Sequence, residues 1–398
     1  MSSDTARLTF ERVDWDEYDA NDHIVERRTR SFLMALGGLV AAFLYDYLFV
    51  TASHPLVWGF RPTQLNWLSM VGALVVAFYI VWPCAVNREL TRQYWRSLRA
   101  RPLALAGSGY LALFTLVGLL GPILIDDPGQ MVWVGEPPRY PPLGQPPVFA
   151  SVPAGDTTLC TTVRDGLCHG TLAYSLGTTQ NGKDVLSLLV YGTRTVFQIT
   201  LITAVLLVPL GTAVGTAAAY AGGRVDSILM RYVDLQQVIP AFLVYLLFNF
   251  LYGTSLFAMI VLFGLLDWHA IARQVRGDAL RKREKGYVLA ARSAGSTHFD
   301  AVRRHLVPNV ANTVVSAVTR QIPFVLVAVV TLTFFGAVDF QTPAWAPTMV
   351  FGFRIMLRQQ PAWWMIYPPI AALTVTLASF AVVGDAFRDI LDPRGESA

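Results

Sequence analysis

Eight apolar runs dominate this chain and leave few folds open to it. They cover residues 32–50, 67–86, 103–125, 195–220, 238–251, 256–266, 313–335 and 363–383. Most have the length of a membrane crossing, about 20 residues. With 54% hydrophobic and only 15% charged residues, the chain reads as an all-α integral membrane protein. A nucleic-acid binder would need a basic face clear of lipid, and none is evident.

Basic residues set the expected orientation. With both termini inside, the inner segments hold Arg7, Arg12, Arg27, Arg28 and Arg30, the five arginines from 88 to 101, Arg224, Arg231, nine basic residues from Arg273 to Arg304, and Arg388 with Arg394. The outer segments hold Arg61, Arg139, Arg164, Lys183, Arg194, Arg354 and Arg358. This bias fits an even number of crossings, about eight. Residues 1–30 then form a cytoplasmic tail that does not read as a signal peptide. Trp15 and Tyr18, set among acids, are either surface residues of that tail or a contact for a partner.

Residues 126–193 read as an extracytoplasmic loop, Pro-rich at first and holding Cys160 and Cys168. If it lies outside, a disulfide closing a short ring is the expected reading. Cys160, Cys168 and His169 without a fourth partner make a poor metal site, so no metal and no cofactor are expected. Cys84, at a span end, reads as a buried small residue. Residues 177–183 match G-x-x-x-x-G-K, but Asp184 stands where a phosphate loop needs Ser or Thr, and no strand precedes it. Asp267, inside an apolar stretch, should face protein or water rather than lipid. Arg320 is either a pathway group or a cation snorkelling to the interface. Arg231 and Asp234 could pair at i, i+3.

Between the sixth and seventh runs lies the polar stretch RKREKGYVLAARSAGSTHFDAVRRHLVPN, residues 281–309. It reads as a helix, a glycine break at Gly295 and a second helix stopped by Pro308. Such a projecting knob suits docking better than chemistry, since it brings no set of catalytic groups together.

The stretch resembles the coupling loop, or EAA loop, of ABC-transporter permeases. The matching positions are Tyr287-Val288, Ala290-Ala291, Gly295 and His305-Leu306-Val307-Pro308-Asn309. Gly286 and Leu289 replace carboxylates of that pattern. Three further segments are similar to dipeptide, oligopeptide and nickel permeases: Leu176-Gly177-Thr178 with Gly182 and Asp184-Val185-Leu186-Ser187; Tyr220 with Gly222-Gly223, Asp226, Met230-Arg231 and Asp234; and Gly384-Asp385, Arg388-Asp389, Leu391-Asp392-Pro393-Arg394.

The resemblance implies a permease core of about six helices, here residues 103–398, with its coupling loop at 273–309. Residues 31–102 add two transmembrane helices and a basic segment. It further implies a subunit of an ATP-driven importer of peptides in the cell membrane, forming the translocation pathway with a second homologous permease and working with two cytoplasmic ATP-binding subunits and an extracytoplasmic substrate-binding protein. Tyr287, Val288, Ala290, Ala291, Gly295, Pro308 and Asn309 would dock on the ATPase, and hydrolysis would occur in the partners, not in this chain. The other reading is a sensor or scaffold built on a permease core without transport. The substrate-binding residues and the role of residues 1–102 are not legible.

Overall fold

The computed structural model describes residues 15–49, 62–125, 143–157, 160–285, 306–338 and 344–391, with positions 297 and 302. Tyr287, Val288, Ala290, Ala291, Gly295 and His305 of the expected coupling loop lie outside these residues. The chain divides into two units, residues 1–88 and 89–398.

The first unit is an antiparallel helical hairpin. Helix α1 (Trp15–Phe49) lies against α2 (Gln64–Val76), which runs through a π turn at Ala77–Val81 into α3 (Trp82–Val86). The turn widens just before Pro83, which has no N–H to carry on the α-helical ladder. Near the connection, Trp67 Nε1 donates to Asp46 Oδ2 at 2.9 Å, and Phe43 meets the Trp67 ring edge-on. Towards the other end, Phe32 contacts Phe78 and Tyr79, and the Arg28 guanidinium sits 5.1 Å over the Tyr79 ring. Asp46 therefore carries a donor with it into the apolar run, which lowers the cost of a carboxylate there. Cys84 is exposed, not buried as expected, because it sits on α3, a short helix that buries none of its residues.

In the second unit α4 (Arg88–Arg99) leads into α5 (Pro102–Leu124), where Pro102 occupies the first turn and loses no helical bond. Leu98 is buried with Ala104 and Ala386, and Arg101 pairs with Asp389 at 2.7 Å. The centre of the unit is α6 (Val185–Ala221), 37 residues or about 55 Å long. It starts ten residues before the apolar run suggests. Asp184 caps it, accepting from Leu186 N at 3.4 Å and from Ser187 N and Oγ at 2.9 and 2.7 Å. Helices α7 (Gly223–Val238) and α8 (Ala241–Tyr252) follow, bent 62° apart at Ile239–Pro240. Then come α9 (Leu256–Leu266), α10 (His269–Arg283), a single turn at Val307–Asn309, α11 (Ala311–Phe334), α12 (Trp345–Met356) and α13 (Tyr367–Leu391).

Among the described residues, seven helices or helix pairs are long and apolar enough to cross a membrane, and the bent α7–α8 pair makes up to eight. Alone, α8 is about 18 Å long and falls short of the hydrocarbon thickness; only together with α7 is it long and apolar enough for a span, broken or re-entrant. The aromatic and Pro-rich stretch between the last two apolar runs, residues 336–362, contains α12. Its residues 345–350 are all buried, so its aromatic and Pro-rich composition reflects a covered short helix rather than exposed chain.

The described part of the chain between α5 and α6 folds as a small cap. Strands β1 (Ser151–Pro153), β2 (Val163–Arg164) and β3 (Leu167–His169) form an antiparallel sheet in the order β1-β3-β2. Cys168 on β3 is fully buried and disulfide-bonded to Cys160. Gln145, also fully buried, donates from Nε2 to Thr161 Oγ1, His169 O and Thr171 Oγ1 at 3.0, 3.2 and 3.3 Å. Trp364, just before α13, donates to Thr178 O at 2.9 Å and joins the cap to the last span. In the G-x-x-x-x-G-K segment, Thr179 Oγ1 accepts from Asn181 N and Lys183 N. With Asp184 as the helix cap, a carboxylate already occupies the position a phosphate would need.

Candidate coupling site at the root of the 286–305 loop

The expected coupling segment leaves the described chain after α10 and re-enters it at Leu306, so the roots on both sides are defined. Helix α10 is seated on α6 by small residues. A methyl built on Gly211 falls 2.7 Å from Ile271 Cβ, and one on Gly215 falls 2.6 Å from Ala272 O and 2.9 Å from Val275 Cβ. Only glycine permits this approach, which buries Ile271, Ala272, Val275 and Ala279 completely or nearly so.

The outer side of α10 is tied to α7. Arg276 donates from Nε to Asp226 Oδ1 at 2.5 Å and from Nη2 to Asp226 Oδ2 at 2.6 Å. Two parallel bonds to one carboxylate fix orientation as well as distance. The pair is largely covered, with side chains 30% and 17% exposed. Arg273 pairs with Asp234 at 2.7 Å, but at 48% and 66% exposure it adds little. Asp234 therefore bonds across to α10 rather than to Arg231 on its own helix: the antiparallel neighbour brings a guanidinium directly to it. At the end of α10, Arg283 Nη1 donates to Ala219 O at 2.7 Å and satisfies a carbonyl in the last turn of α6.

Asp278 joins the two roots. It is largely buried on α10, where it accepts from Lys282 Nζ at 2.9 Å and from Arg281 Nη2 at 3.5 Å. From the returning chain, Thr313 Oγ1 donates to Asp278 Oδ2 at 2.7 Å. Lys282 Nζ also donates to Asn309 O. Leu306 and Val310 are fully buried in the same core as Ile271 and Val275. Of the expected coupling residues, Pro308 and Asn309 are thus brought to this root, where Pro308 opens the Val307–Asn309 turn. The departing and returning chains cannot separate without breaking a charge-assisted network and opening a core.

Higher along the span, α9 and α10 break at Asp267-Trp268. Asp267 is buried, as expected of a carboxylate in that position. Gln236 of α7 is buried nearby and donates to Leu265 O at 3.4 Å. Among the described residues no group of three or more His, Cys, Asp or Glu side chains could hold a metal ion.

Comparisons with known proteins bear on this geometry. Residues 189–396 match the family model of binding-protein-dependent transport system inner membrane components. Residues 89–142 match the N-terminal TM domain of oligopeptide transport permease C. The chain is 28% identical over 306 residues to the dipeptide transport system permease protein DppC of Bacillus subtilis, covering 76% of this chain and 86% of that one. It is 30% identical over 219 residues to the B. subtilis oligopeptide transport system permease protein OppC, covering 55% and 71%. It is 31% identical over 221 residues to the nickel transport system permease protein NikC of Escherichia coli, covering 55% and 78%. The chain is a multi-pass membrane permease subunit and belongs to the family of binding-protein-dependent transport system inner membrane components.

Proposed function

We propose that the chain forms half of the translocation pathway of an ATP-driven importer of peptides. It would pair with a second homologous permease, receive substrate from an extracytoplasmic binding protein, and be driven by two cytoplasmic ATPases, with both termini on the ATPase side. Similarity to permeases named for dipeptides and oligopeptides supports the substrate class, and the crowding of basic residues at the α10 and α11 roots supports the orientation. Hydrolysis belongs to the partners; this chain supplies the lever.

The observation that carries the reading is the Asp278 tie between the two roots of the loop. A segment docked on a moving ATPase transmits displacement only if its stems move together. Here a push on residues 286–305 reaches α6 through α10 and reaches α11 directly. Tyr287, Val288, Ala290, Ala291 and Gly295 would form the docked surface, with Pro308 and Asn309 setting its return. The ligand state of the ATPase then shifts the permease only as far as docking differs between the two permease states.

The test is replacement of Gly295 by Leu, or of the Ala290-Ala291 pair by two Leu residues, in the assembled complex. Loss of peptide-stimulated ATPase activity and of uptake is expected, with the permease still present in the membrane. Unchanged assembly, uptake and stimulation would overturn the coupling role. Recovery of the chain with neither ATPases nor a binding protein would favour a sensor or scaffold instead.

A further inference from the structure

Three span ends meet around a cleft of about 720 Å³ between α10, the start of α11 and the end of α13. Its walls carry Arg273, Arg281, Lys282, Lys285, Arg320 and Arg388 against a single acid, Asp278. The charges inside do not balance. Asp278 is already engaged by Thr313, Lys282 and Arg281, and Arg273 is engaged by Asp234. Lys285, Arg320 and Arg388 have no acidic partner among the described residues.

Backbone packing brings the two arginines together. Gly384 of α13 meets Thr319 of α11 so closely that a methyl on the glycine would overlap the threonine side chain. Arg320 is the next residue of α11, and Arg388 lies about one turn beyond Gly384 on α13. Arg320 is nine residues from the start of α11, about 14 Å along its axis. A cation at that depth beside hydrocarbon is costly unless it reaches the surface or meets an anion. The cleft gives it that route and collects two further cations along it.

We propose that this cleft binds the phosphate of an anionic phospholipid from the leaflet at which these span ends open, with Arg320 and Arg388 on the phosphate oxygens and Lys285 nearer the surface. Guanidinium groups donate two parallel bonds to phosphate oxygens. The volume lies in the range of sites for small molecules and has room for a headgroup around its phosphate. The location decides the source: basic pockets between helices at the headgroup level take acidic lipids, which are always present there. With the lipid in place, Arg320 would be neutralised where it stands, and α11 and α13 would share a common counter-ion.

The test uses the full chain in nanodiscs of equal phosphatidylcholine and phosphatidylglycerol, with retained lipid read by native mass spectrometry. The wild type is expected to enrich phosphatidylglycerol. The Arg320→Gln/Arg388→Gln double variant is expected to lose about tenfold of that enrichment. Arg320→Lys/Arg388→Lys keeps the charge and should stay within about threefold of wild type. Arg358→Gln, away from the cleft, should leave it unchanged. Equal retention of the two lipids by the wild type, no difference between wild type and the Gln variant, or loss in the Lys variant would each overturn the proposal. Displacement of the lipid by inorganic phosphate would assign the cleft to a free anion and overturn the lipid. None of these readouts needs an ATPase or a binding protein, so failure here leaves the transport reading untouched.

Discussion

Asp278 is the residue on which the loop root depends. Its side chain is 11% exposed and holds partners on its own helix and across the root. Truncating it leaves Lys282 facing a covered site without its anion and Thr313 without its acceptor. Asp278→Ala should cost about 1–3 kcal/mol, less than a fully buried pair because Lys282 is partly solvated. Thermal unfolding in detergent would report that loss. Uptake by the assembled complex should fall further than expression does; a variant that transports normally would show that the stems need no tie. By contrast, Arg273→Gln should change stability by less than about 1 kcal/mol, because its pair is open to water. None of these roles is legible in the sequence. Asp278 reads there as one acid in a basic run, and Asp234 invites pairing with Arg231, its neighbour on the helix. The partners found, Thr313 and Arg273, lie 35 and 39 positions away and are brought close only by helix packing.

At the level of elements, the apolar runs locate nearly every span, because length and lack of charge are the physical requirement for crossing. Boundaries are less legible where local chemistry overrides hydropathy. Asp184 begins α6 ten residues early, and the chain bends by 62° at Ile239–Pro240 between α7 and α8. Helix α12 hides within a stretch whose prolines and aromatics look like loop. The glycines of α6 make a sharper prediction. Gly215→Val would drive side-chain carbons into Ala272 O and Val275. Overpacking of this kind costs about 1–3 kcal/mol, so a lowered melting temperature and weaker recovery of the ATPases are expected; an unchanged melting temperature would mean that α10 does not seat this closely on α6. In the cap, Cys160→Ser/Cys168→Ser opens a ring spanning eight positions, worth about 2–3 kcal/mol by the chain-entropy relation. Faster limited proteolysis between residues 143 and 176 is the expected result, with the spans intact.

For the molecule as a whole, the division at 88/89 matters most. The second unit contains the cap, the loop root and both family matches, while the first is a hairpin with its own aromatic contacts. Removing residues 1–88 takes away two candidate spans, an even number, so the remaining helices keep their direction of insertion. A chain of residues 89–398 behind an initiator Met should accumulate in the membrane with Lys285 on the same side as in the full chain, checked by cysteine labelling there. Degradation of this truncated chain would make the hairpin part of the folding unit.

Helix α6 starts in the cap at Asp184 and ends under the Arg283 guanidinium as one helix that carries Pro209 inside it. Under the proposed orientation, one helix would have one end outdoors and the other beside the ATPase-facing stem. In the proposed importer, reciprocity along it would be exact for binding: if nucleotide bound at the far end changes the affinity of a protein landing on the near end, that protein changes nucleotide affinity by the same factor. A delivery protein arriving without cargo and one arriving loaded would be told apart by the motor through that helix alone, provided they press on the cap differently.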